Sequence, residues 1–282
     1  MSHATRGIVA EAVLFVFILA IALLTNPSAR NFAWGQAASA PSFEVASIRL
    51  NKSSMPIRQL GPDGDRFNAT DTVLGLIEWA YGHEARRLNA DQVSGGPQWI
   101  RSDWYDIHAK IDDSLVKNIF PHLTFRERFA QTMPMLRSLL AERFGLKVRH
   151  ELKQLPVYAL VVSKNGAKIK EQKCDAVGGF GGRARGQLAF TCEDMKSLAF
   201  MLALQRELGQ RVVLDQTGLQ GRYTFKLEWS PEDPAASSGE FAPSNLPSLF
   251  TALQEQLGLK LEPKKAPVDT LVIESIQRPS EN

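Results

Sequence analysis

The segment 211–229, with the sequence RVVLDQTGLQGRYTFKLEW, constrains the fold more than any other part of the chain. It begins with an apolar run at 212–214, passes through a turn that contains Gly218, and then alternates strictly. From Tyr223 to Trp229 every second residue is apolar, which is typical of a strand with one buried and one solvated face. The segment therefore predicts a strand, a turn and a second strand.

The same order of a helix, a glycine and two strands recurs along the chain. Apolar residues at helical spacing precede glycines that are predicted to end each helix in a left-handed conformation: Gly82, Gly145, Gly209 and Gly258. Thr70 or Asp71 is predicted to cap the first of these helices. The segment 144–162 also resembles 257–273. These regularities predict an α+β fold, in which a tandem duplication of an αββαββ unit forms mainly antiparallel sheets with helices packed on one face.

The sequence predicts four parts. A signal peptide at 1–37 is followed by a first αββαββ half with a leading strand at 38–170. A Gly-rich connection flanked by cysteines at 171–192 then leads to a second αββαββ half at 193–279. Each half is predicted to end in two separate strands, at 146–150 and 157–163 in the first half and at 260–262 and 268–276 in the second half.

The N-terminal segment predicts export. Its apolar run at 12–24 is too short to cross a hydrocarbon core about 30 Å thick, because a helix rises about 1.5 Å per residue. Small residues follow the run, and cleavage after Ala37 leaves a mature chain that starts at Ala38. An uncleaved N-terminal anchor is the alternative. We therefore expect the protein in the periplasm or outside the cell, with no membrane association once the signal is cleaved.

The chain has two cysteines, Cys174 and Cys192, which flank a glycine-rich segment. In an oxidising compartment an even pair that closes a short loop predicts a disulfide. Closing a loop of this size stabilises the fold by roughly 3 kcal/mol in the chain-entropy model. Two free buried thiols are the alternative, and two cysteines alone do not make a metal site.

Composition and motifs exclude several classes of function. A net charge of +3 is too mild for a nucleic-acid-binding protein, which needs clustered Lys and Arg. The sequence has no zinc-protease helix motif and no serine nucleophile elbow. The glycine-rich segment 178–186 lacks the Lys-Ser or Lys-Thr pair of a phosphate-binding loop. No nucleic-acid partner, metal or cofactor is therefore predicted.

Asp215 is the sharpest catalytic candidate, because it follows an apolar strand and begins the turn Asp-Gln-Thr-Gly. Aspartic proteases place Asp-Thr-Gly on such a turn and need two carboxylates that share a proton. Here Gln216 interrupts the motif, and the matching turn at 94–97 has no Asp. The turn is therefore interpreted as structural, with a hydrolase that uses dispersed carboxylates such as Asp215 and Asp103 as the alternative.

Two tryptophans near the turn at Pro97 are candidate ligand contacts together with Asp215. Trp99 and Trp104 both follow this turn closely in the chain. Aromatic side chains around a turn can stack on sugars or clamp a peptide. They also cap small hydrophobic cores, which is the alternative interpretation.

Several motifs together resemble a known family. These are FEVASI, SGGPQWIRSDWYDIHAK, LLAERFGLKVRHELKQLPVYALVV, VVLDQTGLQGRYTFKLEW and FTALQEQLGLKLEPKKAPVDTLVIESIQRP, which extend over about 43–279. They are similar to the bacterial soil-associated protein family, an exported family with a domain of unknown function. The resemblance implies secretion and assigns no catalytic residues. Relatives that carry the domain behind a membrane-embedded, sensor-type metallopeptidase imply a role in recognition.

The absence of a complete catalytic set and the repeated scaffold favour a non-catalytic binding module. Such modules present a groove between halves or an open sheet edge. The expected ligand is a protein, a peptide or a glycan. The alternatives are an envelope hydrolase that uses Asp215 and a ligand-sensing domain for a membrane partner.

Overall fold

The alternating segments form strands in the structure, a computed structural model that describes residues 40–83, 86–174, 179–180, 186–231 and 246–279. The strands of the first half are β1 (Val45–Leu50), β2 (Gln59–Asp63), β3 (Arg66–Thr72), β4 (Val93–Gly95), β5 (Trp104–Lys110) and β6 (Lys147–Val162). Its helices are α1 (Val73–Ala80), α2 (Trp99–Ser102), α3 (Asp113–Asn118) and α4 (Phe125–Phe144).

The second half continues the numbering. Its strands are β7 (Glu171–Gln172), β8 (Gly179–Phe180), β9 (Gln187–Glu193), β10 (Val213–Asp215), β11 (Arg222–Glu228) and β12 (Leu259–Ser275). Its helices are α5 (Met195–Ala203) and α6 (Leu249–Ala252), which a π-helical segment continues over Leu253–Leu257. The mixed helices and mainly antiparallel sheets confirm the predicted α+β class. The described residues from Ser42 onward belong to one compact unit.

Local signals explain where most helices begin and end. Thr124 and Glu127 form the capping box that their spacing predicts at the start of α4. Gly145 and Gly258 end their helical segments in a left-handed conformation. The same prediction is wrong for Gly82, whose φ lies outside the left-handed region. A glycine is needed there because a Cβ would lie 2.8 Å from the carbonyl carbon of Arg86.

The order of the strands repeats between the halves. The first half forms an antiparallel sheet of order β1-β5-β3-β2, and the second half forms one of order β7-β11-β9-β8. Each strand of the second sheet therefore has a number six higher than its counterpart in the first: β7, β11, β9 and β8 correspond to β1, β5, β3 and β2. The predicted connection 171–192 contains β7 and most of β9, which flank β11 in this second sheet.

A third sheet of order β10-β6-β12-β4 joins the two halves. β6 and β12 pair antiparallel from Val162↔Leu259 to Lys147↔Ser275, while β10 is parallel to β6 and β4 is parallel to β12. The prediction of two separate strands at the end of each half is therefore wrong, because each pair is one continuous strand. The intervening residues remain extended since the two strands pair with each other along their length.

β6 and β12 each contribute to both hydrophobic cores. Val148 of β6 packs against the first-half core, whereas Leu160 further along the same strand lies in the second-half core. β12 runs in the opposite sense, with Leu259 in the second-half core and Leu271 in the first-half core. Neither half therefore completes its core without a strand from the other.

We expect the two halves to unfold together for this reason. Differential scanning calorimetry of the purified protein should show one transition, with equal calorimetric and van't Hoff enthalpies. Two resolved transitions would contradict the shared central sheet, because they would mean that each half is stable alone.

The structure contains the predicted disulfide between Cys174 and Cys192. Their Cα atoms are 6.1 Å apart, within the usual range for a disulfide. The bond connects the chain just after β7 to β9, which lies on the other side of β11. Cys192 has a left-handed backbone with φ of 56°, an uncommon conformation for a residue that has a Cβ. The glycine-rich loop between the cysteines lies largely outside the described residues.

Reduction of this disulfide should lower the free energy of unfolding by about 3 kcal/mol, because the unfolded chain regains the loop-closure entropy that the bond removes. Urea denaturation with and without reductant measures the difference. The Cys174→Ser/Cys192→Ser double variant is the control, since reductant should not change its midpoint. An unchanged midpoint for the wild-type protein would contradict the prediction.

The predicted signal peptide at 1–37 lies outside the described residues, as does most of the Pro- and Ser-rich segment between β11 and α6. Within the ranges described above, no helix is both long enough and apolar enough to cross a membrane.

Candidate functional site

A cleft of about 840 Å³ opens between α1 of the first half and α5 of the second half. Its size falls in the range of roughly 300–1,000 Å³ that is typical of ligand pockets. The apolar wall consists of Leu74, Trp79, Phe200, Met201 and Leu204. The polar residues among its described lining are Arg58, Thr72, Glu78, Arg87, Asn89 and Gln210. The cleft therefore combines an apolar surface with a small number of charged groups.

α1 places an acidic side chain in this cleft. The helix begins at Thr72, whose hydroxyl accepts a hydrogen bond from the backbone N–H of Gly75. The prediction that Thr70 or Asp71 caps the helix is thus wrong by one or two residues. Glu78 follows the apolar residues of the buried face and is only 6% exposed.

Burial raises the pKa of the Glu78 carboxyl to about 7, because the charged form loses its hydration. The guanidinium of Arg87 opposes this rise, and the carboxylate of Asp71 adds to it. Arg87 Nη1 lies 3.5 Å from Glu78 Oε2, which is longer than a charge-assisted hydrogen bond of about 2.7–2.9 Å. Among the described residues, Glu78 is therefore a buried acid whose ionic partner, Arg87, is loosely bound.

Asp71 lies behind the first turn of α1 and is fully buried. Its Oδ1 accepts hydrogen bonds from Arg58 Nε at 2.8 Å and from the backbone N–H of Thr72 at 2.7 Å. Burial raises the pKa of this carboxyl, while Arg58 opposes the rise. A Cβ on Gly75 would lie 2.5 Å from Asp71 Cγ, so only glycine leaves room for the carboxylate.

A comparison of the start of α1 with the start of α5 explains why one oxygen of Asp71 lacks a hydrogen-bond donor among the described residues. There the buried carboxylate is Glu193, which accepts hydrogen bonds from Arg126 at 2.9 Å and from the hydroxyl of Ser197 at 2.6 Å. Gly75 occupies the corresponding third position of α1 and offers no hydroxyl. Asp71 Oδ2 accordingly has no hydrogen-bond partner among the described residues.

Asp215 is held by its own turn. Its Oδ1 accepts hydrogen bonds from the backbone N–H of Thr217 at 3.0 Å and from the Thr217 hydroxyl at 2.8 Å. Asp103, the other dispersed carboxylate, binds Arg278 at 2.9 Å. The structure thus gives each of these two carboxylates a separate partner. Asp215 lines a smaller depression of about 210 Å³, and Asp103 is not among the described residues of either pocket.

The two candidate tryptophans are half-buried, and each has an arginine over its ring. The guanidinium of Arg278 lies 4.9 Å from the ring centroid of Trp99, and that of Arg58 lies 5.3 Å from the ring of Trp104. Neither tryptophan is among the described residues that line the 840 Å³ cleft. Arg58 does line it, so Trp104 is connected to the cleft through that side chain.

Glu78 and Arg87 are charged cleft residues to which the sequence patterns above do not point. A signal for Glu78 was available, because a carboxylate interrupts the apolar helical segment VLGLIEWA. No comparable signal marks Arg87, which lines the cleft although it lies outside α1 in the sequence. Among the residues that the structure describes, no group of three or more His, Cys, Asp or Glu side chains could hold a metal ion.

Comparisons with known proteins identify a family. No curated protein and no solved structure matches the chain. A family model matches residues 74–276, which include all but the first residue of α1, all of α5 and the shared central sheet. Because this match covers well over half of the chain, the protein belongs to the family described as "Protein of unknown function (DUF3738)".

Proposed function

We propose that this protein is an exported, non-catalytic binding module of the cell envelope or the extracellular space, and that its ligand occupies the cleft between α1 and α5. The observation that carries the proposal is the cleft itself, which is formed by one helix from each half of the molecule. Pockets where two structural units meet are common binding sites, because both units can contribute contacts.

The chemistry of the cleft favours binding over catalysis. Glu78 is the single carboxylate among its described lining residues, while Asp71 lies behind Gly75 and is fully buried. A carboxylate dyad that shares a substrate needs both groups exposed to it. Asp215 and Asp103, the carboxylates of the hydrolase alternative, are each engaged elsewhere.

Export is supported by two observations of different kinds. The N-terminal sequence has the apolar run and the small residues of a cleavable signal peptide. The disulfide between Cys174 and Cys192 is of a type that persists in oxidising compartments. Fractionation of cells that express the full chain tests this part of the proposal. Retention of the protein in the cytoplasm, with its thiols reduced, would refute it.

A thermal-shift screen tests the binding function directly. Libraries of small molecules, peptides and glycans should include compounds that raise the melting temperature of the purified protein. Met201 lies on the cleft wall and is partly exposed, so Met201→Trp fills the space without altering a charge. Hits that bind in the cleft should lose their effect in this variant.

Met55→Trp provides the matched control, because it makes the same chemical change at a residue that is 83% exposed. Hits should keep their effect in this control. A screen whose hits are insensitive to Met201→Trp, or a screen with no hits, would count against a ligand in the cleft.

A further inference from the structure

We propose that the cleft takes a small amphiphilic monocarboxylate, whose carboxylate group pairs with the guanidinium of Arg87 and whose apolar part lies against Trp79 and Met201. This inference rests on the proposed binding function and specifies the ligand class for the same cleft.

Arg87 is the group that calls for an anionic ligand. Its side chain is 29% exposed, and its contact with Glu78 at 3.5 Å is too long for a normal charge-assisted hydrogen bond. In the described part of the chain its guanidinium makes no hydrogen bond within the usual distance. A partly buried guanidinium has five N–H donors in a fixed planar arrangement, which a carboxylate matches with two parallel bonds.

Arg58, the second arginine among the described cleft residues, already has a carboxylate partner and an aromatic contact. Arg58 donates through Nε to Asp71 at 2.8 Å and stacks on the ring of Trp104. Asp71 therefore neutralises Arg58, while Arg87 keeps an incompletely compensated charge. Exchange of the loose Glu78 contact for a bidentate ligand carboxylate would use the donors of Arg87 more fully.

The balance of charge favours one negative charge on the ligand. One available guanidinium compensates one carboxylate, whereas a phosphate carries about −1.5 to −2 at neutral pH. The excess charge of a phosphate would lie next to Glu78 and repel it. The apolar wall formed by Leu74, Trp79, Phe200, Met201 and Leu204 supplies the surface for the rest of the ligand. Methionine among these side chains adapts easily to ligands of different shape.

Glu78 makes binding depend on pH. Its carboxylate competes with the ligand for Arg87, so an incoming anion favours the protonated form. The charged groups that act on it are Arg87 from the following loop, Asp71 from β3, Arg58 before β2 and Arg101 from α2. The described cleft residues of α5 carry no charge, since they are Phe200, Met201 and Ala203. Because the pKa of Glu78 is about 7, affinity for the anion should rise as the pH falls from about 8 to about 6, with uptake of a proton.

Isothermal titration calorimetry with four probes of equal chain length tests the inference: octanoate, octanol, octylammonium and octyl phosphate. We expect octanoate to bind at least tenfold more tightly than octanol at pH 6, and more tightly than the other two. The Arg87→Gln variant should lose this tenfold preference while it still binds octanol. Arg149→Gln is the matched control, because Arg149 is exposed on β6 and is not among the described cleft residues.

The Glu78→Gln variant tests the proton linkage separately. It should bind octanoate at pH 8 as tightly as at pH 6, whereas the wild-type protein should bind it about tenfold more weakly at pH 8. Titrations in two buffers of different ionisation enthalpy should show proton uptake in the wild-type protein and none in the variant. The carboxylate of octanoate stays ionised throughout, since such groups have pKa values of about 4–5.

Other outcomes separate this inference from the binding function. Equal affinity for octanoate and octanol, unchanged by Arg87→Gln, would overturn the carboxylate anchor and leave the cleft as a binding site. Tighter binding of octylammonium or of octyl phosphate would also overturn it. If none of the four probes binds while library hits depend on Met201, the ligand class is wrong and the binding function stands. If library hits are also insensitive to Met201→Trp, the binding function itself fails.

Discussion

The Glu78→Gln variant is expected to be more stable than the wild-type protein by about 3 kcal/mol at pH 8 and equal to it near pH 4. Glu78 has a pKa near 4.5 when unfolded and about 7 in the folded protein, because burial disfavours its charge. A shift of this size corresponds to about 3 kcal/mol, at roughly 1.4 kcal/mol per unit.

The sign follows from proton linkage. The folded state binds the Glu78 proton more tightly than the unfolded state does, so the associated stability is fully present below about pH 4.5. It is lost as the pH rises from 4.5 through 7, and it is absent above that range. A neutral Gln keeps a similar shape and removes the cost of burying the charge.

Urea denaturation at a series of pH values measures this effect. Glu142 provides the control, because it is exposed on α4 and its replacement by Gln should change stability by less than about 0.5 kcal/mol at any pH. A Glu78→Gln variant that is less stable than the wild-type protein at pH 8 would contradict the prediction. It would mean that the ionised carboxylate makes a strongly favourable contact despite its 3.5 Å distance from Arg87 Nη1.

The Gly75→Ala substitution is expected to destabilise the protein by about 3 kcal/mol. In an ordinary helix position this change stabilises by up to about 1 kcal/mol, because alanine has the higher helix propensity. At Gly75 the added Cβ would lie 2.6 Å from Asp71 Oδ2. The carboxylate would have to leave Arg58 and the backbone N–H of Thr72. Arg58 is half exposed but the Asp71 carboxylate is fully buried, and leaving a buried charge without its partner costs about 3–5 kcal/mol, which exceeds the propensity gain.

A double-mutant cycle assigns the cause. If the conflict with Asp71 is responsible, the Asp71→Ala/Gly75→Ala double variant should be no less stable than Asp71→Ala alone. Chemical denaturation of the three variants gives the coupling free energy. A neutral or stabilising effect of Gly75→Ala would show that Asp71 can move aside at little cost, and additive effects would place the cause elsewhere.

Several structural features that depend on residues close together in the sequence were predicted correctly. The alternation from Tyr223 to Trp229 predicted one buried face, and Tyr223, Leu227 and Trp229 are buried, because a strand presents its side chains to two faces in turn. The capping box at Thr124 and Glu127 was also correct, since both partners lie within one turn of helix. The disulfide followed from the number of cysteines and the expected compartment.

The sequence patterns do not lead to the 840 Å³ cleft. Trp99, Trp104 and Asp215 stay predictions as ligand contacts, and the described lining of this cleft contains none of them. The cleft depends instead on residues far apart in the chain, such as Glu78 on α1 and Met201 on α5. Their proximity is a property of how the two halves pack, which no local pattern records.

The sequence by itself determined the α+β class, the main helices and strands, both ends of α4 and the cysteine pairing, because these depend on periodicity, capping and turn chemistry within short segments. Only the tertiary structure decided that β6 and β12 are single long strands shared by both cores, since their central residues are extended through pairing across more than a hundred positions of sequence. It also decided the burial of Asp71 and Glu78, because the cost of burying a charge depends on the neighbours that folding brings together.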